Sequence, residues 1–294
     1  MIHADAKSYL HSPTRRVLLF GMSGLGKTRL SSLLREAGNW FHYSVDYRIG
    51  TRYMNEYIAD NFKREAMKVP LLRELLMTDS VYIASNITFD NLAPLSTYLG
   101  KPGDPAKGGV PFAEYLRRQH QHRAAEVSAL LDTARFIDRA QTIYGYPNFV
   151  CDSSGSICEV VAADDPSDPT MQALAHNLLL VWIKGSPDHR ADLIRRFDRA
   201  PKPMYYRPEF LARVWAEFLA RDGVTEAQVN PDAFLRYGYA RLLEHRQPRY
   251  EAMAKWGVTV TADEVAQVRS AADVDSLIAQ ALERAALERR ATKA

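Results

Sequence analysis

At 294 residues the chain is long enough to bury a sizeable core, as one large domain or two small ones. Apolar residues make up 47% and charged residues 25%, and the net charge of +3 gives no ground by itself for a nucleic-acid or membrane partner. No stretch reaches the roughly 20 apolar residues of a membrane span. The two cysteines, Cys151 and Cys158, supply neither a disulfide framework nor a zinc spacing, so both read as thiols of a reducing, cytoplasmic protein.

Residues 1–13 are polar and lack the apolar stretch of a secretory signal. The first apolar run, Val17-Leu18-Leu19-Phe20, reads as a buried strand. Gly21-Met22-Ser23-Gly24-Leu25-Gly26-Lys27-Thr28 follows, a full G-x-x-x-x-G-K-[ST] run, and then the helix-like Arg29-Leu30-Ser31-Ser32-Leu33-Leu34-Arg35. Strand, glycine turn and helix are the setting in which this pattern forms a phosphate-binding loop. Glycines let the backbone curl N–H groups toward a polyanion, and the helix start adds its positive dipole end. Lys27 is then expected on the β- and γ-phosphates and the Thr28 hydroxyl on Mg²⁺, with Gly21, Ser23, Gly24, Leu25, Gly26 and Arg29 completing an ATP site.

Further strands are expected at 43–45, 149–151, 178–183 and 258–260, separated by helical periodicity, which is the α/β pattern of a parallel sheet. A helix is expected over 65–77, starting or kinking at Pro70, while 81–84 reads as strand or buried helical turn alike. Residues 101–109 are loop-like, 111–140 read as a charged helix crossing the surface, and 262–290 as an amphipathic helix whose last turns fray. The distance from the loop near 21 to the third strand near 149 exceeds what one strand–helix unit needs. Residues 78–145 therefore read as an insertion shaping a second substrate.

Asp46 closes the expected second strand beside the loop, where a carboxylate could take the proton of an acceptor hydroxyl; a helix cap is the alternative. Asp152 ends the expected third strand, where a carboxylate holds Mg²⁺ or its water opposite Thr28, or else caps a helix begun by Ser153–Ser156. Arg195, Arg196 and Arg199 crowd one helical turn with Asp192 and Asp198 among them. They form a solvated basic face or, for Arg196 and Arg199 above all, a fork for the transferring phosphoryl group.

Several segments in order resemble the shikimate kinase branch of the nucleoside-monophosphate-kinase-like P-loop proteins. They are G-M-S-G-L-G-K-T, Tyr43-Ser44-Val45-Asp46, Phe62-Lys63-Arg64-Glu65, and Val181-Trp182-Ile183 followed by Leu193 to Pro201. The last is Arg246-Gln247-Pro248-Arg249-Tyr250 before Val258-Thr259-Val260. The likeness spans about half the chain, in two blocks around the insertion. It implies a P-loop NTPase fold with a five-stranded parallel sheet, a helical insertion and a mobile lid, here near 185–250, within a single domain. It also implies that Arg246, with Arg64, reads an anionic group of the acceptor. The family's glycine triplet after the third strand is here Asp152-Ser153-Ser154-Gly155-Ser156, so shikimate itself is expected to be a poor acceptor.

The expected activity is ATP- and Mg²⁺-dependent phosphoryl transfer to a hydroxyl of a small, anionic metabolite or nucleotide. The rival classes are an NTP-hydrolysing regulator and a kinase acting on nucleic acid, the latter disfavoured by the near-neutral charge.

Overall fold

Five apolar runs pair into one sheet because each is flanked by residues that cannot continue it. β1 (Arg16–Phe20), β2 (Trp40–Ser44), β3 (Asn148–Asp152), β4 (Leu179–Lys184) and β5 (Val258–Thr261) lie in the order β2-β3-β1-β4-β5, every pair parallel. The structure, a computed structural model, describes residues 2–291. β3 is buried along its whole length and β1 at all but its first residue, as a parallel sheet covered on both faces requires. β2 begins three residues earlier than expected. His42 breaks the apolar run in sequence, yet it is buried in the strand and so hides the strand's length.

The chain forms two compact units: Met1–Val45, Leu130–Ala200 and Tyr239–Ala294 make up the first, and Asp46–Ala129 with Pro201–Gly238 the second. The sheet lies in the first unit. The expected insertion (78–145) and lid (185–250) coincide with the second unit only in part.

In the first unit the helix Lys27–Glu36 returns from β1 toward β2, and the helix Ala271–Ala291 packs on β5, on Lys27–Glu36 and on the short helix Ala6–Leu10. The C-terminal helix expected over 262–290 is split into Ala262–Gln267 and Ala271–Ala291. Val268 is extended (ψ 134°), and Ser270 and Asp273 cap the new start reciprocally, Ser270 N–H on Asp273 Oδ2 (2.9 Å) and Asp273 N–H on Ser270 Oγ (3.2 Å). The second piece runs to Ala291.

One face of β2 and β3 carries an aromatic cluster. Phe149 stacks on Phe41 (5.7 Å) and Tyr43 (5.9 Å), and Phe136 closes on both Phe41 and Tyr43.

The second unit is helical, with no strand among its described residues. The helix expected over 65–77 is two, Asn55–Ala66 and Pro70–Met77, because Pro70 can only begin a helix here. Residues 81–84 are neither strand nor helix. The long helix Phe112–Thr142 is no surface helix: Tyr115, Gln119, His122 and Glu126 are buried within this unit. Its core is aromatic, with Phe112 stacked on Trp215 (4.5 Å) and Trp215 and Phe218 edge-on to Phe234 (4.8 and 5.5 Å).

Phe149→Ala removes the ring shared by Phe41 and Tyr43, so it is expected to cost about 3–5 kcal/mol of stability, read from urea unfolding.

Candidate functional site

β1 ends at Phe20 and the chain turns through 21–26 before the helix Lys27–Glu36 begins. Gly26 caps that helix in the left-handed region (φ 101°), and a Cβ there would stand 2.7 Å from Val265 Cγ1, so no other residue fits. Among the described residues the backbone N–H groups of Ser23, Gly24 and Gly26 donate to nothing. Consecutive uncommitted donors at a helix start form an anion-binding concavity.

Lys27 is the first residue of the helix. Its side chain is buried and folds back over the turn, donating from Nζ to the carbonyls of Gly21 (2.9 Å) and Met22 (3.1 Å). Thr28 stands next to it in the exposed first turn. A carboxylate arrives from β3: the parallel register sets Leu19 opposite Asp152, so the last residue of β3 lies beside the mouth of the turn. Burial raises the Asp152 carboxyl above its ordinary value, while the nearby Lys27 ammonium and Thr28 side chain pull it back.

His42 Nε2 stands 3.9 Å from Asp152 Oδ2. Burial and then the Arg35 charge push the imidazole down to about 4, so it is neutral at pH 7 and offers Asp152 no counter-charge. No group of three or more metal-ligating side chains exists among the described residues. A cation at this site would therefore be a hard ion sharing Thr28, Asp152 and a ligand's own oxygens, which is the pattern of Mg²⁺ on a polyphosphate.

The segment after β3 buttresses the turn. Ser153 donates to the Leu19 carbonyl from its N–H (3.2 Å) and its hydroxyl (2.8 Å). Gly155 lies so close to Ser23 that a Cβ would meet Ser23 Oγ at 2.5 Å. The Gly155 carbonyl is fixed from behind, accepting from Arg246 (2.8 Å) and from the Tyr250 hydroxyl (2.6 Å). Arg246 Nε in turn donates to Glu159 Oε1 (3.2 Å), and both side chains are buried. Burial alone would raise the Glu159 carboxyl, but the His245 hydrogen bond and the Arg246 charge outweigh it and hold it below its ordinary value.

Arg246, expected to read the acceptor's anion, is thus placed behind the turn. A guanidinium that is buried and engaged by Glu159 and Gly155 serves the fold behind the turn. Arg29 is likewise engaged elsewhere, donating to the carbonyls of Val265 (2.9 Å) and Val268 and tying the helix Lys27–Glu36 to the C-terminal segment.

Arg196 and Arg199 are exposed in the last turn of the helix Pro187–Arg199, while Arg195 pairs with Asp192. Asp46 is the second residue of the helical turn Val45–Arg48, two residues after Ser44, whose partner in the β2–β3 ladder is Asp152. Asp46 and Arg64 both belong to the second unit, Arg64 exposed on the helix Asn55–Ala66. Beside the turn, and within the first unit, a cavity of about 390 Å³ is lined by Met22, Leu25, Lys184, His189 and Arg190 among others.

Sequence reasoning did not single out Ser153, Gly155, Glu159 or Tyr250. One signal was available: Glu159 is a lone acid inside the apolar run Ile157-Cys158-Glu159-Val160-Val161, and such an acid implies a buried partner.

No family model matches the chain, and no curated protein does. A match among solved structures is the crystal structure of shikimate kinase from Bacteroides thetaiotaomicron, 16% identical, covering 94% of this chain and 98% of that one at a TM-score of 0.37. So distant a likeness carries no weight for site or activity. No helix among the described residues is long and apolar enough to cross a membrane.

Arg246→Ala leaves the Glu159 charge buried without this partner and is expected to cost about 3–5 kcal/mol in urea unfolding. The double variant Arg246→Met, Glu159→Gln should lose clearly less than the sum of its two single variants, since the pair acts as a unit.

Proposed function

We propose that the chain binds ATP with Mg²⁺ at residues 21–28 and transfers the γ-phosphoryl group to a hydroxyl of a small anionic molecule. One observation carries this reading: the buried Lys27 ammonium folds back over a turn with uncommitted N–H donors, and the β1–β3 register sets the buried Asp152 carboxylate at the end of the neighbouring strand. Nothing in ordinary strand–helix packing calls for that combination.

Ser23, Gly24 and Gly26 would donate their N–H groups to the phosphate oxygens. Lys27, already held over the turn by two carbonyls, has its ammonium in place to neutralise them. Thr28 and Asp152 would hold Mg²⁺, which would neutralise charge on the phosphates. Arg196 and Arg199 would stabilise charge on the moving phosphoryl group, and Asp46 would take or orient the proton of the acceptor hydroxyl. Phosphoryl transfer asks the protein for positioning and charge neutralisation and for little covalent chemistry, which suits this residue set.

A Lys27→Ala protein with wild-type circular dichroism should bind ATP·Mg²⁺ too weakly to detect by titration calorimetry. Wild-type affinity in that variant would refute the reading.

The acid pair is tested by rate and by metal demand. Asp46→Asn keeps the shape and loses the base, and should lower turnover by ~10²–10⁴ with ATP affinity intact. Asp152→Asn should instead raise the Mg²⁺ concentration needed for half-maximal nucleotide binding. Equal behaviour of both variants and wild type would reduce these residues to helix caps.

A further inference from the structure

The second unit contains a polar cavity of about 820 Å³, well within the size of small-molecule sites. Its walls come from four stretches of chain: 90–101, 107–108, 202–203 and 230–232. Hydrogen bonds tie these stretches into one frame. Lys101 Nζ donates to Asp232 Oδ1 (2.6 Å), and the Asp104 N–H to the Val229 carbonyl (2.9 Å). Within the loop, Gly103 N–H meets the Val110 carbonyl (2.9 Å) and Val110 N–H the Lys101 carbonyl (2.8 Å). A cavity framed this way exists before any ligand arrives, which lowers the cost of binding.

The chemistry of the lining is specific. Lys101 is neutralised by Asp232, and Lys107 lies 3.3 Å from Asp104. Lys202 and Asp90 have no ion pair, and the Ser96 and Thr97 hydroxyls no hydrogen bond, among the described residues. One free ammonium, one free carboxylate and two free hydroxyls therefore face a common space. No aromatic side chain lines it, so it offers no platform for stacking a base.

We propose that this cavity binds an anionic polyol, a phosphorylated sugar or a compound of that kind, with Lys202 on the anionic group and Asp90, Ser96 and Thr97 on the hydroxyls. An inorganic anion would leave Asp90 opposing it, and a neutral polyol would leave Lys202 without a partner. A molecule carrying both features satisfies the whole set. That such a molecule is the acceptor of phosphoryl transfer rests on the function proposed above; that the cavity binds it does not.

The test uses the full chain carrying Lys27→Ala, which silences the phosphate-binding turn. Ribose 5-phosphate, ribose and inorganic phosphate are titrated into it by calorimetry. Ribose 5-phosphate is expected to bind, with ribose and phosphate each at least about tenfold weaker. Adding Lys202→Met should weaken ribose 5-phosphate about tenfold, and Lys202→Arg should restore most of it, since Lys202 is exposed and neither change disturbs a core. No binding at millimolar ribose 5-phosphate, or binding indifferent to Lys202→Met, overturns the proposal. Binding seen in wild type and lost with Lys27→Ala alone also overturns it, by placing the ligand in the turn. Failure of wild type to bind ATP would sink the function proposed above and leave the result at the cavity standing.

Discussion

The parallel pairing of β1 with β3 is the constraint on which the site depends. Leu19 opposite Asp152 brings the last residue of one strand to the turn that leaves the other, across 133 residues of chain. A slip of one residue would turn the Asp152 side chain to the opposite face of the sheet, away from the turn. The register is enforced by what lies behind it. β3 is buried on both faces, and the Phe149 ring is fixed between Phe41 and Tyr43. The aromatic cluster and the carboxylate at the strand's end are thus two consequences of one pairing.

A turn whose N–H groups bond to nothing in the protein has no hydrogen bonds of its own to fix its shape. The chain supplies that support from behind the turn. Gly155 presses on Ser23, and its carbonyl is pinned by Arg246 and Tyr250, with Glu159 holding Arg246 in place. A buried ion pair of this kind adds little stability compared with apolar packing, but breaking it is expensive. Its value here is geometric: an Arg fork fixes both a carbonyl and a carboxylate, where a packed apolar side chain would fix neither.

The sheet and the turn were legible in the sequence because both obey local rules. Four of the five strands announced themselves as apolar runs within a residue or two of their ends, and G-x-x-x-x-G-K-[ST] carries its own geometry. What resisted reading was non-local. Nothing in the sequence around Arg246 points to Glu159, and only the fold brings the two together from 87 residues apart. The break at 268–270 was hidden for the same reason, since Arg29 takes the Val265 and Val268 carbonyls from the far end of the chain. The charged face of 112–142 concealed a buried stripe because Gln119, His122 and Glu126 are polar residues placed where apolar ones mark a core.

The two units differ in legibility for a chemical reason. A phosphate chain presents the same oxygens in every nucleotide, so the residues that would meet it are confined to one short contiguous segment plus one carboxylate. A second substrate presents no such fixed pattern. The polar groups of the second unit that could meet one, Asp90, Ser96, Thr97 and Lys202, are spread over more than a hundred residues and share no spacing. Each alone is an ordinary surface residue. Their meaning comes from the loop 101–110 and its ties to the 229–232 segment, which set the walls they line. Recognition built from scattered side chains on a helical frame leaves no motif, and this is why the turn at 21–28 can be read from sequence while the cavity lined by Asp90, Ser96, Thr97 and Lys202 emerges only from the folded chain.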